Sequence, residues 1–159
     1  MADDMDLRQA TVGDTAGVAR VMAQSYKIDS LAEAEDVFRE EMEKGHYFLV
    51  ATIGGEVVGF VSWTMRDLPR HELAELNRIA VDEEHRGKKI GEGLFYFLIQ
   101  NAKEFYRGRK HRLRKLFVMT HASNKVARGF YEKVGFRLEA TLKDHYYDGE
   151  NECIYSMFF

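Results

Sequence analysis

One cysteine and one proline stand in 159 residues, and each scarcity excludes something. Cys153 has no second thiol to pair with, so no internal disulfide supports the fold, and a small core residue is the natural reading. Pro69 alone makes no proline-rich linker, and no stretch dense in Pro, Gly and Ser divides the chain, so one domain over residues 1–159 is expected. No apolar run approaches the ~20 residues that cross a bilayer. The start, Met1-Ala2-Asp3-Asp4-Met5-Asp6, is acidic where a secretory signal is basic and then apolar. A cytoplasmic protein with no membrane partner is expected. The formal net charge of -3 gives the whole molecule no strong pull toward nucleic acid. The six histidines, at 46, 71, 85, 111, 121 and 145, lack ligand spacing, so no metal is expected. The P-loop string Gly-x-x-x-x-Gly-Lys-Ser/Thr is absent, and Gly91-Glu92-Gly93 falls inside a helical pattern instead of straddling a dinucleotide-binding turn.

What is present is a regular alternation of periods. Met5 to Thr11 reads as a strand with Leu7 toward the core, and Val18, Val21, Met22 and Tyr26 read as a helix opened by Gly13-Asp14. Asp29-Ser30 caps a second helix with Leu31, Ala34, Phe38 and Met42 on its inner face and Glu33, Glu35, Asp36, Glu40, Glu41 and Glu43 on a solvated one. Tyr47 to Ile53 and Glu56 to Met65 are strands joined by Gly54-Gly55, a two-residue turn that needs positive φ at both positions. Leu73 to Val81 is apolar in both alternating sets, the sign of a central strand, except that Glu75 and Asn77 interrupt one set. A carboxylate buried without a partner is costly enough to require a reason. Ile90 to Tyr106 follows as a helix burying Ile90, Leu94, Phe97, Leu98, Ala102 and Phe105. Leu116, Val118 and Thr120 alternate with Phe117 and Met119 in a fifth strand, Ser123-Asn124 caps a helix through Ala127, Phe130, Tyr131 and Val134, and two strands close the chain around a loop from Lys143 to Asn151. The seven basic positions from Arg107 to Lys115 read as a solvated loop first, a neighbour of a ligand phosphate second and an RNA contact third.

Between the fourth strand and its helix lies His85-Arg86-Gly87-Lys88-Lys89-Ile90-Gly91-Glu92. A helix start offers N–H groups without intrahelical partners and partial positive charge. Here glycines admit a close ligand and Arg86, Lys88 and Lys89 add formal charge, which together make an anion cradle.

That turn, taken with Asn124-x-x-Ala127-x-x-Phe130-Tyr131-Glu132-Lys133-x-Gly135-Phe136, resembles the GNAT superfamily of acyl-CoA-dependent N-acyltransferases. The family loop Arg/Gln-x-x-Gly-x-Gly/Ala is matched by Arg86 to Gly91, with Lys89 in place of a glycine. The resemblance implies a mixed, mainly antiparallel seven-stranded sheet with a central βαβ crossover and four helices. It implies acetyl-CoA as cofactor, held by main-chain groups of Ile79, Ala80 and Val81, by Arg86, Gly87, Lys88, Lys89, Ile90, Gly91 and Glu92, and by Asn124 and Tyr131. Glu75 stands where similar members carry a general base, unless it serves a structural ion pair with Arg78 or a histidine; Glu72 or a relayed water are alternative bases. Tyr131 stands where the general acid is carried, unless it is a core tyrosine.

Tyr26, Asn77, Tyr146 and Tyr147 are acceptor-side candidates, since Tyr146-Tyr147-Asp148-Gly149-Glu150 looks like the loop that N-terminal acetyltransferases lay over a peptide. At pH 7 an α-amine loses its proton at a cost of about 1.4 kcal/mol, against about 4.6 kcal/mol for a lysine, so an N-terminus demands less of the base. The expected partner is thus an amine, a peptide N-terminus before a polyamine or other small amine, taken by a monomer or homodimer. A catalytically silent CoA-binding module is the competing class.

Overall fold

Seven strands and four helices form in the order β1, α1, α2, β2, β3, β4, α3, β5, α4, β6, β7 in the computed structural model, which describes residues 4–159. The strands stand in one mixed sheet in the order β1-β2-β3-β4-β5-β7-β6. The chain clusters into two compact units: residues up to Thr64 with Arg78–Asn101, and Met65–Asn77 with Ala102–Phe159.

In the first unit, β1 (Met5–Gln9) pairs antiparallel with β2 (Tyr47–Ile53), which pairs antiparallel with β3 (Glu56–Met65). Gly54 and Gly55 turn that hairpin at φ 59° and 81°, the two positive values a type I′ turn requires. Helices α1 (Thr15–Ser25) and α2 (Leu31–Glu43) bury Val18, Val21, Met22 and Phe38 against Phe48, Val50 and Phe60. The Phe38 and Phe48 rings meet edge to face at 4.9 Å, the arrangement their quadrupoles favour. Ser30 caps α2, its hydroxyl accepting from the Glu33 N–H at 3.1 Å. Leu31 is 57% exposed and does not join the expected inner face. As the first residue of α2 it sits at the edge of the stripe that Ala34 and Phe38 carry inward.

Helix α3 (Ile90–Arg107) buries Ile90, Leu94, Leu98 and Ala102 as expected, but Phe95 and Tyr106 are fully buried where Phe97 and Phe105 are only partly so. The inward ridge follows an i+4 progression, and Tyr106 continues it one turn beyond Ala102 while Phe105 lies beside it. The Tyr106 hydroxyl donates to the Leu73 carbonyl at 2.7 Å, which removes the cost of burying a phenol.

In the second unit the first residues of β4 (Leu73–Val81) pair in parallel with β5 (Lys115–His121), Leu73 to Lys115 through Leu76 to Val118. β5 alternates as read from sequence, with Leu116, Val118 and Thr120 buried. It pairs antiparallel with β7 (Glu150–Phe158), and β7 with β6 (Arg137–Tyr147). The terminal loop is therefore much shorter than expected. Both strands continue to a turn at Asp148-Gly149, with an irregularity in register between Leu142 and Tyr147 where Asp144 adopts φ 46°. The Asp144 carboxylate accepts from the Gly149 N–H at 3.0 Å, and its own N–H donates to Asn151 Oδ1 at 3.1 Å, so the tip is pinned across the hairpin. Helix α4 (Lys125–Lys133) is capped by Asn124, whose Oδ1 accepts from the Ala127 N–H at 3.1 Å.

β4 itself is less enclosed than its composition implies. Ala74, Leu76 and Ala80 are buried, whereas Leu73, Glu75, Asn77, Ile79 and Val81 are only half-buried.

Candidate active site

The turn read from sequence as an anion cradle follows Asp82. The Asp82 N–H donates to the Val58 carbonyl at 2.8 Å, and its buried carboxylate receives Gln24 Nε2 at 3.1 Å, His85 Nδ1 at 3.1 Å and Arg20 at 3.4 Å. Gln24 in turn accepts from the Glu83 N–H at 2.9 Å, so α1 holds the start of the turn that precedes Arg86. Burial pushes the Asp82 carboxyl upward, but Gln24, His85 and Arg20 together outweigh it and leave the group more acidic than an ordinary aspartate. A carboxylate more acidic in the folded than in the unfolded chain stabilises the fold above its unfolded value, and the benefit disappears as pH falls through the folded value. Replacing Asp82 by Asn should cost about 2 kcal/mol at pH 7. The difference from the parent in chemical denaturation should shrink below pH 4.

Beyond Asp82, residues Arg86 to Lys89 are exposed and Ile90 is fully buried. Gly87 has φ 81° and Lys89 φ 61°. The lysine thus adopts the left-handed backbone at the place where the family pattern has glycine, so the turn keeps its shape despite the different residue. The Gly93 N–H donates to the Lys89 carbonyl at 3.1 Å and closes the first helical turn, leaving the amides ahead of it at the helix start. Gly59 brings β3 against this start: a Cβ there would lie 3.1 Å from the Ala80 carbonyl and 3.0 Å from Leu94. Arg86 folds back so that Nε donates to the Val81 carbonyl at 3.3 Å.

Tyr26 reaches the same strand. Its hydroxyl accepts from the Ile79 N–H at 3.0 Å and lies 3.3 Å from the Ile79 carbonyl. Burial raises the phenol's pKa, so it remains protonated at neutral pH. Arg78 lies 4.9 Å over the Tyr26 ring and makes a forked ion pair with Glu41, at 3.0 Å from Nη2. Glu41 is therefore no member of a free acidic face. Glu33 accepts from the Asp29 N–H, and Glu35 and Asp36 pair with Arg39.

In the second unit, Glu75 is half-buried and 3.4 Å from Arg66, which is the cation it meets in place of Arg78. Loss of hydration raises its pKa, and the exposed Arg66 offsets part of that. Two residues on, Asn77 Oδ1 is shielded from solvent and meets no donor among the described residues. Glu72 is committed elsewhere: its carboxylate accepts from the Arg112 N–H at 2.8 Å. Tyr131 is 6% exposed, its ring against Phe130, Phe136 and Tyr155. Tyr146 and Tyr147, the last residues of β6, are 59% and 65% exposed.

The basic segment is tied to its own unit. Arg109 stacks on Phe105 at 3.6 Å, Arg112 donates to the Phe159 carbonyl, Arg114 to the His71 carbonyl, and Lys115 pairs with Glu139 at 2.7 Å. A shallow groove of about 410 Å³ lined by Gly135, Arg137, Glu139, Ser156 and Phe158, among others, contains none of the candidate side chains.

One pair had no signal in periodicity. His121, last in β5, stands opposite Glu152 of β7, and its Nδ1 lies 2.6 Å from Glu152 Oε1. The two are 31 positions apart, so only knowledge of the β5–β7 register could have joined them.

A strand that ends in a basic turn, followed by a helix start with left-handed backbone at Gly87 and Lys89, has the form that the sequence resemblance implies for an acyl-CoA-dependent transferase. Residues 17–136 match the Acetyltransferase (GNAT) family, and the chain belongs to it. Enzymes of this family use acetyl-CoA as acyl donor.

An uncharacterised N-acetyltransferase of Methanocaldococcus jannaschii is 34% identical over 100 residues, which is 60% of this chain and 41% of that one. An N-alpha-acetyltransferase of Saccharolobus solfataricus is 29% identical over 163 residues, 93% of this chain and 89% of that one. Among solved structures, Ard1 from Thermoplasma volcanium superposes with TM-score 0.75 at 25% identity, over 98% of this chain and 97% of that one. A spermidine N-acetyltransferase from Vibrio cholerae shares the fold with TM-score 0.73 at 18% identity, over 99% and 95% of the two chains. The fold alone thus accommodates more than one kind of acceptor.

Proposed function

We propose that this protein transfers the acetyl group of acetyl-CoA to the α-amine of a peptide or protein N-terminus, by direct attack with donor and acceptor bound together. The observation that supports an amine acceptor is Asn77: its shielded carbonyl oxygen meets no donor among the described residues, and an amine bound beside it would supply one. Glu75, on the same strand and with raised proton affinity, suits the acceptance of a proton near neutral pH. Tyr146 and Tyr147 offer exposed phenols to a peptide backbone, and the Saccharolobus relative is named for α-amine acetylation.

The residues of the cradle fit the donor. Exposed cations at 86, 88 and 89 and left-handed backbone at Gly87 and Lys89 suit a diphosphate, as does the helix start at Ile90. Main-chain groups of Ala80 and Val81, Ile79 once Tyr26 yields, and Asn124 would hold the arm. Bound there, acetyl-CoA supplies an activated thioester. With it bound, Glu75 would take a proton from the acceptor nitrogen and Tyr131 would hold the proton destined for the thiol. The cytoplasm, where the donor is made, is the setting that this reading assigns.

Acceptor profiling tests this directly. With labelled acetyl-CoA, peptides bearing a free α-amine should be acetylated with kcat/KM at least tenfold above spermidine or a lysine side chain in an N-terminally blocked peptide. Preference for spermidine would replace the acceptor. Binding of CoA with no turnover of any amine would favour a silent CoA-binding module.

A further inference from the structure

An ammonium acceptor sets a proton problem that one carboxylate does not solve. Turning an ammonium and a thioester into an amide and a thiol breaks two N–H bonds, forms one S–H bond and releases one proton overall. The first N–H bond must break before the nitrogen lone pair can form the C–N bond. The second breaks as the amide forms and the C–S bond is lost.

We propose that His121 is the group that takes the first of these protons, with Glu152 as its positioning residue. This rests on the acceptor reading above and adds a second proton acceptor to Glu75. Glu152 is 4% exposed and reaches His121 Nδ1 at 2.6 Å from the facing strand. A carboxylate only accepts, so the hydrogen of this contact belongs to Nδ1, and in the neutral ring Nε2 then holds the lone pair. The pair therefore has the form of an oriented base: a buried carboxylate fixes the tautomer and the ring orientation, and Nε2 is the atom that takes a proton.

Two exposed phenols stand beside the pair. The His121 ring faces Tyr147 at 5.9 Å and Tyr146 at 6.3 Å, both edge to face, and these are the exposed tyrosines of the hairpin tip. Behind them, His145 packs on Tyr146, and Glu150 is hydrogen-bonded to Ser123. The groups that meet the imidazole directly are Glu152, Tyr146 and Tyr147; His145 and Glu150 lie on the same hairpin, and from α4 the Arg128 guanidinium donates to the carbonyl of the next residue, Ala122, at 2.9 Å. The His121 side chain is 43% exposed, which gives the proton a way out to solvent after each turnover. The step balances: one N–H bond of the ammonium breaks, one Nε2–H bond forms, and the nitrogen keeps the electron pair.

The test uses the full chain, acetyl-CoA and a short peptide with an N-terminal alanine. His121→Gln retains a donor for Glu152 and should keep the parent's Tm. At pH 7 an α-amine is about one-tenth unprotonated, so a variant that must wait for free amine should lose about tenfold in kcat/KM. At pH 9, where most of the amine is already free, it should recover to within about twofold. Glu75→Gln should show no such recovery. Independently of turnover, 15N NMR of the imidazole in the free protein should show the hydrogen on Nδ1, and Glu152→Gln should change that spectrum.

Full activity of His121→Gln at pH 7, an equal deficit at pH 7 and pH 9, or a hydrogen on Nε2 would each overturn the assignment while leaving the α-amine reading intact. Failure of the unaltered enzyme to acetylate the peptide at either pH would remove that reading and this inference together.

Discussion

Tyr131→Phe should lower kcat by about two orders of magnitude. A cofactor thiol has an unperturbed pKa near ~8.5, so its anion is a tolerable leaving group and an acid is worth only the lower end of the usual range. A hundredfold loss corresponds to about 2.7 kcal/mol of barrier. The substitution keeps the ring, and with it the packing on Phe130, Phe136 and Tyr155. Because the cradle is formed at the start of α3, CoA affinity by calorimetry should change less than threefold. Steady-state kinetics with a more acidic thioester leaving group separates the two readings of this residue. An acid catalyst makes the variant's deficit shrink with such a donor, whereas a tyrosine that only fills the core leaves kcat near that of the parent with either donor.

How far these roles could be read before any coordinates depends on whether the determining contacts are local. The Ser30 cap, the Gly54-Gly55 turn, the alternation of β5 and the Asn124 cap each rest on residues within four positions of one another, and each is found where periodicity puts it. Contacts set by tertiary register were not legible. Arg66 and Arg78 are both plausible partners for Glu75 in sequence, and only the path of β3 and β4 sends Arg66 to Glu75 and Arg78 to Glu41. The hairpin tip was read as a nine-residue loop because Lys143 to Asn151 is polar and contains Gly149, yet a two-stranded ribbon with solvent on both faces needs no apolar alternation. His121 and Glu152 belong to the same class: neither carries a motif, and the strand register alone places them together.

Glu75→Gln should move activity and stability in opposite directions. Glu75 binds its proton more tightly in the folded protein than an ordinary glutamate, chiefly because half-burial strips hydration from the anion. An acid whose folded pKa is raised makes the fold lose stability as pH rises from the unfolded value through the folded one. At pH 7 the anion is therefore a burden on the native state, and its ion pair with the half-exposed Arg66 at 3.4 Å is of the kind that contributes well under 1 kcal/mol. Gln is isosteric and uncharged, so the variant should unfold at an equal or higher temperature than the parent at pH 7, with the advantage shrinking toward pH 4. Its kcat should fall about a hundredfold, because an amide cannot take the proton that leaves nitrogen as the amide bond forms. Thermal scans at pH 4, 6 and 8 together with single-turnover rates at saturating peptide measure both sides. A loss of stability at pH 8 would mean that the carboxylate is held as a structural ion pair, and retained turnover would mean that the base lies elsewhere. Strain tolerated at a position for the sake of chemistry is what the combination of a stabler and slower variant would reveal.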